Sequence, residues 1–199
     1  ELTYFDGAND WKNVFNNGIY AAQLKIKTPP FMDDEDSSGN SSFYGWSNIR
    51  NHAKLLNVNQ DKEINYGFGF GFDQSLADVF GIFGRFGWQR PDLIPADGEL
   101  TNGGATIEMS WSGGAQIAGK YWNREDDTFA VAAGQLLPSK DYKDAGHSGS
   151  TEGHMEAYYN IMVSKHLFVS PDFQLIWNPD GVGTADNIYV LGTRAYLLF

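Results

Sequence analysis

The 199-residue chain carries 25 acidic against 14 basic side chains, a formal charge of −11, with 15% aromatic residues, 23 glycines and no cysteine. One domain's worth of chain at this charge excludes a nucleic-acid partner, because phosphate binding needs surplus Lys and Arg, and the missing cysteines exclude disulfides, thiolate metal sites and thiol nucleophiles. So many aromatics beside so much glycine favour strands over a helical bundle, and without any run of about 18 apolar residues a spanning helix is excluded while a spanning β-barrel is not.

The chain opens at Glu1 with no initiator Met and no charged-then-apolar leader, which reads as a mature, processed or partial chain. Residues 18–27 and 43–55 supply the first strand segments. The connection between them contains Asp34-Glu35-Asp36-Ser37-Ser38-Gly39, which imitates the first half of a calcium loop. Its twelfth position is Gly45, where a bidentate Glu is needed, so a solvated acidic loop is the better reading and no metal site is expected.

From Ile64 the period is strictly two. Ile64, Tyr66, Phe68, Phe70 and Phe72 share one face, and Asn65, Gly67, Gly69, Gly71 and Asp73 share the other, a pattern no helix matches. After a short turn, Phe80, Ile82, Phe86 and Trp88 share a face with Gly84, opposite Arg85 and Gln89. Ala105, Ile107, Met109 and Trp111 then alternate with Thr106, Glu108 and Ser110, and the phase runs on through Ala115 and Ile117. Residues 127–137 give a further strand. Met155, Ala157, Tyr159, Ile161 and Val163 alternate with His154, Glu156, Tyr158, Asn160 and Met162, and Phe173, Leu175 and Trp177 with Asp172 and Gln174. In the last strand Tyr189, Leu191, Thr193, Ala195, Leu197 and Phe199 lie opposite Arg194 and Tyr196.

These segments make about nine strands, many near the roughly 9 to 11 residues that cross hydrocarbon when tilted. Short turns at 74–78, 122–126 and 164–166 alternate with longer, Gly-, Pro- and Asp-rich connections at 90–102, 138–151 and 178–186, as in a membrane barrel. The long connection at 28–42 breaks that rule. Trp88, Trp111, Trp122, Trp177 and Tyr189 cluster near strand ends, where aromatic rings sit at headgroup level. An odd count, against the usual even number, predicts either another strand before Gly18 or a chain lacking part of its barrel.

Catalysis finds little support. His52, His147, His154 and His166 show no paired metal spacing, and no nucleophile elbow, phosphate loop or dinucleotide fingerprint is present. Carboxylates such as Glu108 and Glu156 recur, but a glycosidase pair is defined by a separation the sequence does not give. The residues opposite the apolar face suit a different task. Arg85, Gln89, Glu108, His154, Glu156, Tyr158, Asp172, Gln174 and Arg194 supply charged, amide and aromatic groups that can replace a sugar's hydration, and are the candidate lumen residues. Arg124 with Asp126 and Asp127 falls in a turn and reads as structural.

Several short motifs, in order, resemble a known family. They are Phe15-Asn16-Asn17-Gly18, Trp111-Ser112-Gly113-Gly114, Gly119-Lys120, Arg124-Glu125-Asp126-Asp127-Thr128, the 152–160 strand, Ser170-Pro171-Asp172-Phe173-Gln174, Asn178-Pro179, Ala185-Asp186-Asn187 and Val190-Leu191-Gly192-Thr193-Arg194-Ala195. With them the chain resembles the carbohydrate-selective porins of the OprB type. The resemblance implies an all-β transmembrane antiparallel barrel of about sixteen strands when complete. Residues 1–199 would form a single β-barrel domain holding nine or ten of these strands, the C-terminal portion of a longer barrel. It implies passive diffusion of mono- or oligosaccharides across the bacterial outer membrane, without cofactor or covalent chemistry. Outer-membrane lipid and lipopolysaccharide would be its neighbours, bridged by divalent ions to acidic outer loops that would include 33–36 if that segment faces outward. Oligomeric state stays open, a homotrimer among the options. The terminal Phe199 is similar to the assembly signal of such barrels. The rival reading is a soluble β-sandwich carbohydrate-binding module, whose aromatic faces would form a dry core.

Overall fold

In the computed structural model, which describes residues 1–6, 18–28, 39–52, 63–76, 79–93 and 107–198, the two-residue period becomes one antiparallel sheet. Its strands are β1 (Leu2–Asp6), β2 (Gly18–Thr28), β3 (Gly39–His52), β4 (Glu63–Leu76), β5 (Phe80–Gln89), β6 (Ile107–Gly119), β7 (Arg124–Pro138), β8 (Glu152–Ser164), β9 (Leu167–Trp177) and β10 (Ile188–Leu197). They lie side by side in chain order, with β1 and β10 as the edges. β1 is the strand expected before Gly18. Residues 53–55, 105–106 and Phe199 of the anticipated strands lie outside the described residues.

The register keeps each face coherent across the sheet. One row runs Leu24, Phe43, Phe70, Phe86, Trp111, Gln135, Gly153, Trp177, and the adjacent row on the other face runs Lys25, Ser42, Gly71, Arg85, Ser112, Gly134, His154, Ile176. The apolar face is the bare one. Phe68 is 52% exposed and Phe43, Trp111 and Phe129 are exposed as well, whereas Gly67, Gly69 and Gly71 are buried. Among the described residues the buried apolar side chains are Leu93, Ala130 and Tyr142, and no second sheet covers the aromatic face. That is the inverse of a sandwich, and it is the arrangement lipid requires.

The two ends of the sheet differ. At one end, β4–β5, β6–β7 and β8–β9 join within a few residues, the β6–β7 link being a 3-10 turn at Lys120–Trp122. At the other end the connections after β5, β7 and β9 are long. Thr28 and Gly39 both lie at the short-turn end, so the strands flanking residues 29–38 lead away from the long loops; the acidic run at 33–36 itself lies outside the described residues. Of the girdle aromatics, Trp88, Trp111, Trp177 and Tyr189 lie toward the long-loop end and Trp122 at the short-turn end.

β9 begins at Leu167, directly after the turn expected at 164–166. Within it lies Pro171. Lacking an N–H, it cannot donate to β8, and pairing lapses between Tyr158↔Asp172 and Ile161↔Val169. A side-chain bond from Ser170 Oγ to Asn160 Oδ1 (2.8 Å) fills part of the gap. At the short-turn end Asp127, 1% exposed, accepts from Arg124, from the Tyr159 hydroxyl (2.7 Å) and from Met162 N (3.0 Å), while Trp122 Nε1 donates to Tyr159 Oη (2.6 Å). This latch is the structural role anticipated for Arg124 and Asp127; Asp126 is exposed.

Candidate functional site

By strand alternation all nine candidate residues fall on the polar face. Their strands bring them together unequally. Arg194 on β10 reaches over β9 to Glu156 Oε1 on β8 (2.8 Å) and to Asp172 Oδ2 on β9 (3.2 Å), with its guanidinium 5.3 Å from the Tyr158 ring centroid. These four residues form one cluster, and Gln174 stands directly opposite Glu156 in the register. Asp172 is more than nine-tenths buried, so it acts on solutes through Arg194 rather than by touching them.

Arg85 sits apart, on β5. Its Nη2 donates to Asp73 Oδ1 (2.7 Å), its Nη1 to the carbonyls of Phe72 (2.7 Å) and Gly84 (2.9 Å), and its guanidinium lies 5.4 Å from the Phe83 ring centroid. Gln89 Nε2 donates to Ile107 O (2.6 Å), and Glu108 accepts from Lys140 N (3.4 Å) at the foot of the β7–β8 loop. Both therefore lie toward the long-loop mouth and are engaged with backbone.

Between the two arginine clusters one register row runs Asp73, Phe83, Gly114, Ala132, Glu156, Gln174. Its centre is small and its flanks are polar or aromatic. The result is a hollow of about 340 Å³ lined by Asp73, Phe83, Gln116, Ala130, Glu156 and Tyr158. A second hollow of about 350 Å³, nearer the long loops, is lined by Tyr44, Arg85, Ser110, Glu152 and His154 among others. Each arginine stacked on an aromatic presents a cation beside an apolar ring, the pair of surfaces that a pyranose offers hydroxyls and C–H groups to meet.

Asp73, Phe83, Tyr44 and Glu152 are members of this surface that sequence reasoning missed. The signal for Asp73 and Phe83 was present, since both alternate in phase with Gly71 and Arg85. Tyr44 needed the third dimension. Its ring occupies the space above Gly69, where an added Cβ would come within 2.1 Å of Tyr44 Cζ, and Trp46 likewise approaches Gly67, at 2.9 Å from a Cβ there. The glycine stripe of β4 is thus the bed for aromatic side chains of β3 and for Arg85, whose Cδ would stand 2.9 Å from a Cβ at Gly71.

Loops frame the long-loop end. Ser139, fully buried, donates to Pro91 O (2.9 Å) and caps the short helix α1 (Lys140–Asp144) by accepting from Tyr142 N (2.9 Å), beside buried Leu93. The Arg90 guanidinium, hydrogen-bonded to Asp92 and paired with Glu63, is held protonated above the ordinary arginine range. Among the described residues no group of three or more His, Cys, Asp or Glu is placed to hold a metal ion.

A family model described as carbohydrate-selective porin, OprB family, matches residues 11–199. Among solved structures, that of Pseudomonas putida OprB at high pH is similar with a TM-score of 0.73 at 14% sequence identity, over 94% of this chain and 52% of that one. The chain thus spans about half the length of that protein, with the same β-barrel wall architecture. No curated protein sequence matches.

Proposed function

The chain belongs to the carbohydrate-selective porin family of the OprB type, and from that premise we propose that it forms about half the wall of a bacterial outer-membrane pore through which mono- or oligosaccharides diffuse passively into the periplasm. The observation that carries this reading is the row from Asp73 to Gln174, with arginine-capped Phe83 and Tyr158 on either side of a small-residue floor. A neutral sugar entering there exchanges water for fixed hydrogen-bond partners, and an apolar solute cannot. Contacts with such side chains are individually weak, which permits flux. Arg85, His154, Glu156, Tyr158 and Arg194 are the residues assigned to the solute path, Gln89, Glu108 and Gln174 to its borders, and Asp172 to holding Arg194. No cofactor or covalent step belongs to the mechanism.

In this reading the aromatic face meets lipid, the long loops face outward, and their acidic groups adjoin lipopolysaccharide. Homotrimer assembly is compatible with the exposed apolar wall. The test is single-channel conductance of the full-length parent protein in planar bilayers, with glucose, maltose and longer glucans. Discrete openings that a sugar blocks saturably are expected. A protein that stays monodisperse without detergent and opens no channels would overturn the proposal in favour of a soluble binding module.

A further inference from the structure

The latch at the short-turn end leaves part of Arg124 unused. Its guanidinium carries donors on three nitrogens. The Asp127 carboxylate takes the Nε edge and, at 3.1 Å, one N–H of Nη2, whose other N–H goes to Met162 O at 3.3 Å; among the described residues Nη1 has no partner. The Arg124 side chain is 48% exposed and the carboxylate it holds only 1%. The fixed edge of the fork therefore points into the wall and the free nitrogen away from it.

The surroundings place that nitrogen beside lipid head groups. By alternation Asp127 shares the aromatic face with Phe129 and Val131, and Phe129 stands opposite Tyr159 on β8. Phe129, Val131 and Val163 are all exposed and form an apolar bed for acyl chains. Asp127 lies two residues, about 7 Å, beyond Phe129, next to the turn that carries exposed Tyr121 and Trp122. Aromatic rings at a strand end mark the boundary between hydrocarbon and head groups. With the long loops outward, the leaflet at this end is the phospholipid one.

The charges there select the head group. Over 119–127 and 164–166, Lys120, Arg124 and Lys165 stand against Glu125, Asp126 and Asp127, so the two turns sum to zero with His166 neutral. Exposed Glu125 falls on the same face as Asp127. An anionic head group gains no net attraction from such a set, whereas a zwitterion sets its phosphate on Arg124 and its ammonium beside Glu125.

We propose that Arg124 and Glu125 bind the head group of a zwitterionic aminophospholipid, of phosphatidylethanolamine chemistry, whose acyl chains lie on Phe129, Val131 and Val163. The inference rests on the membrane reading of the aromatic face and names a lipid that this wall selects.

The experiment is native mass spectrometry of the full-length parent protein in detergent, titrated with short-chain phosphatidylethanolamine, phosphatidylglycerol and diacylglycerol. The wild type should bind phosphatidylethanolamine about tenfold more tightly than diacylglycerol, which has the chains without the phosphate, and more tightly than phosphatidylglycerol. Arg124→Gln should abolish the difference from diacylglycerol. Glu125→Gln, outside the latch, should cut the preference over phosphatidylglycerol about threefold, the effect of a unit charge about 7 Å away in water. An Arg124 that serves the latch alone would lower the unfolding midpoint of Arg124→Gln and leave the order of lipids unchanged. Should Arg124→Gln fail to assemble, Glu125→Gln carries the test. Diacylglycerol or phosphatidylglycerol binding the wild type as tightly as phosphatidylethanolamine, or an unchanged preference in Glu125→Gln, overturns the site. A wild-type protein that is monodisperse without detergent overturns the membrane reading itself.

Discussion

Strands β2 to β5 and β6 to β10 build the same polar surface by different means. In the first group the surface is shaped by absence. Glycines at 67, 69 and 71 leave room for Trp46, Tyr44 and Arg85, and the ion pair of Arg85 with Asp73 is solvated on both sides at 46% and 58% exposure. In the second group the floor is small at Gly114, Ala130, Ala132 and Gly134, and Arg194 stands at its far side, braced on buried Asp172 and half-buried Glu156. The lesson is that a sheet without a dry core can be held either by space left for side chains or by charges that fix them. The two groups should therefore break differently, one on adding atoms and the other on removing partners.

The largest effect is expected at the short-turn end of the second group. Asp127→Ala leaves the Tyr159 hydroxyl and Met162 N without their acceptor, each worth about 1–3 kcal/mol when buried, for a combined loss of about 3 kcal/mol. Denaturant unfolding in detergent micelles should show it as a lowered midpoint with unchanged slope. A loss no larger than a surface substitution would mean that lipid or water supplies acceptors for the two stranded donors and that the latch is dispensable.

A sharper comparison comes from the two arginines. Arg194→Gln strands Asp172, 5% exposed, beside Glu156. Because Arg194 is itself 58% exposed, the cost should fall near 2 kcal/mol, below the ~3–5 kcal/mol of a fully buried pair. Arg85→Gln strands the solvated Asp73 and frees the exposed bonds to the Phe72 and Gly84 carbonyls, and should cost less than about 1 kcal/mol. Equal costs, read from the same unfolding curves, would erase the distinction between the two groups.

Much of this was legible in the sequence, and what was not has a common physical cause. The two-residue period from Ile64 to Asp73 fixes the strand and its two faces without help, and every candidate lumen residue from Arg85 to Arg194 falls on the face assigned to it. Partners across strands are another matter. Nothing near Gly69 in sequence announces Tyr44, and nothing near Arg194 announces Asp172, because strand register joins the first pair across 25 positions and a diagonal ion pair joins the second across 22.

A comparably small effect on stability carries the most direct view of how the first group is shaped. Gly69→Ala puts a methyl where the end of the Tyr44 ring lies, at 2.1 Å, and the far end of that side chain can move. The cost should be about 1 kcal/mol, the low end of overpacking, because Tyr44 is already 40% exposed and swings outward rather than straining the backbone. It swings into the hollow it lines with Arg85 and His154, so single-channel conductance should fall although the fold persists. Gly45→Ala on the opposite face is the matched control, since its nearest neighbour would be Gly67 O at 3.8 Å, and neither stability nor conductance should change. If both variants conduct like the wild type, the aromatic bed does not shape the path, and the glycines of β4 serve only to pack the wall.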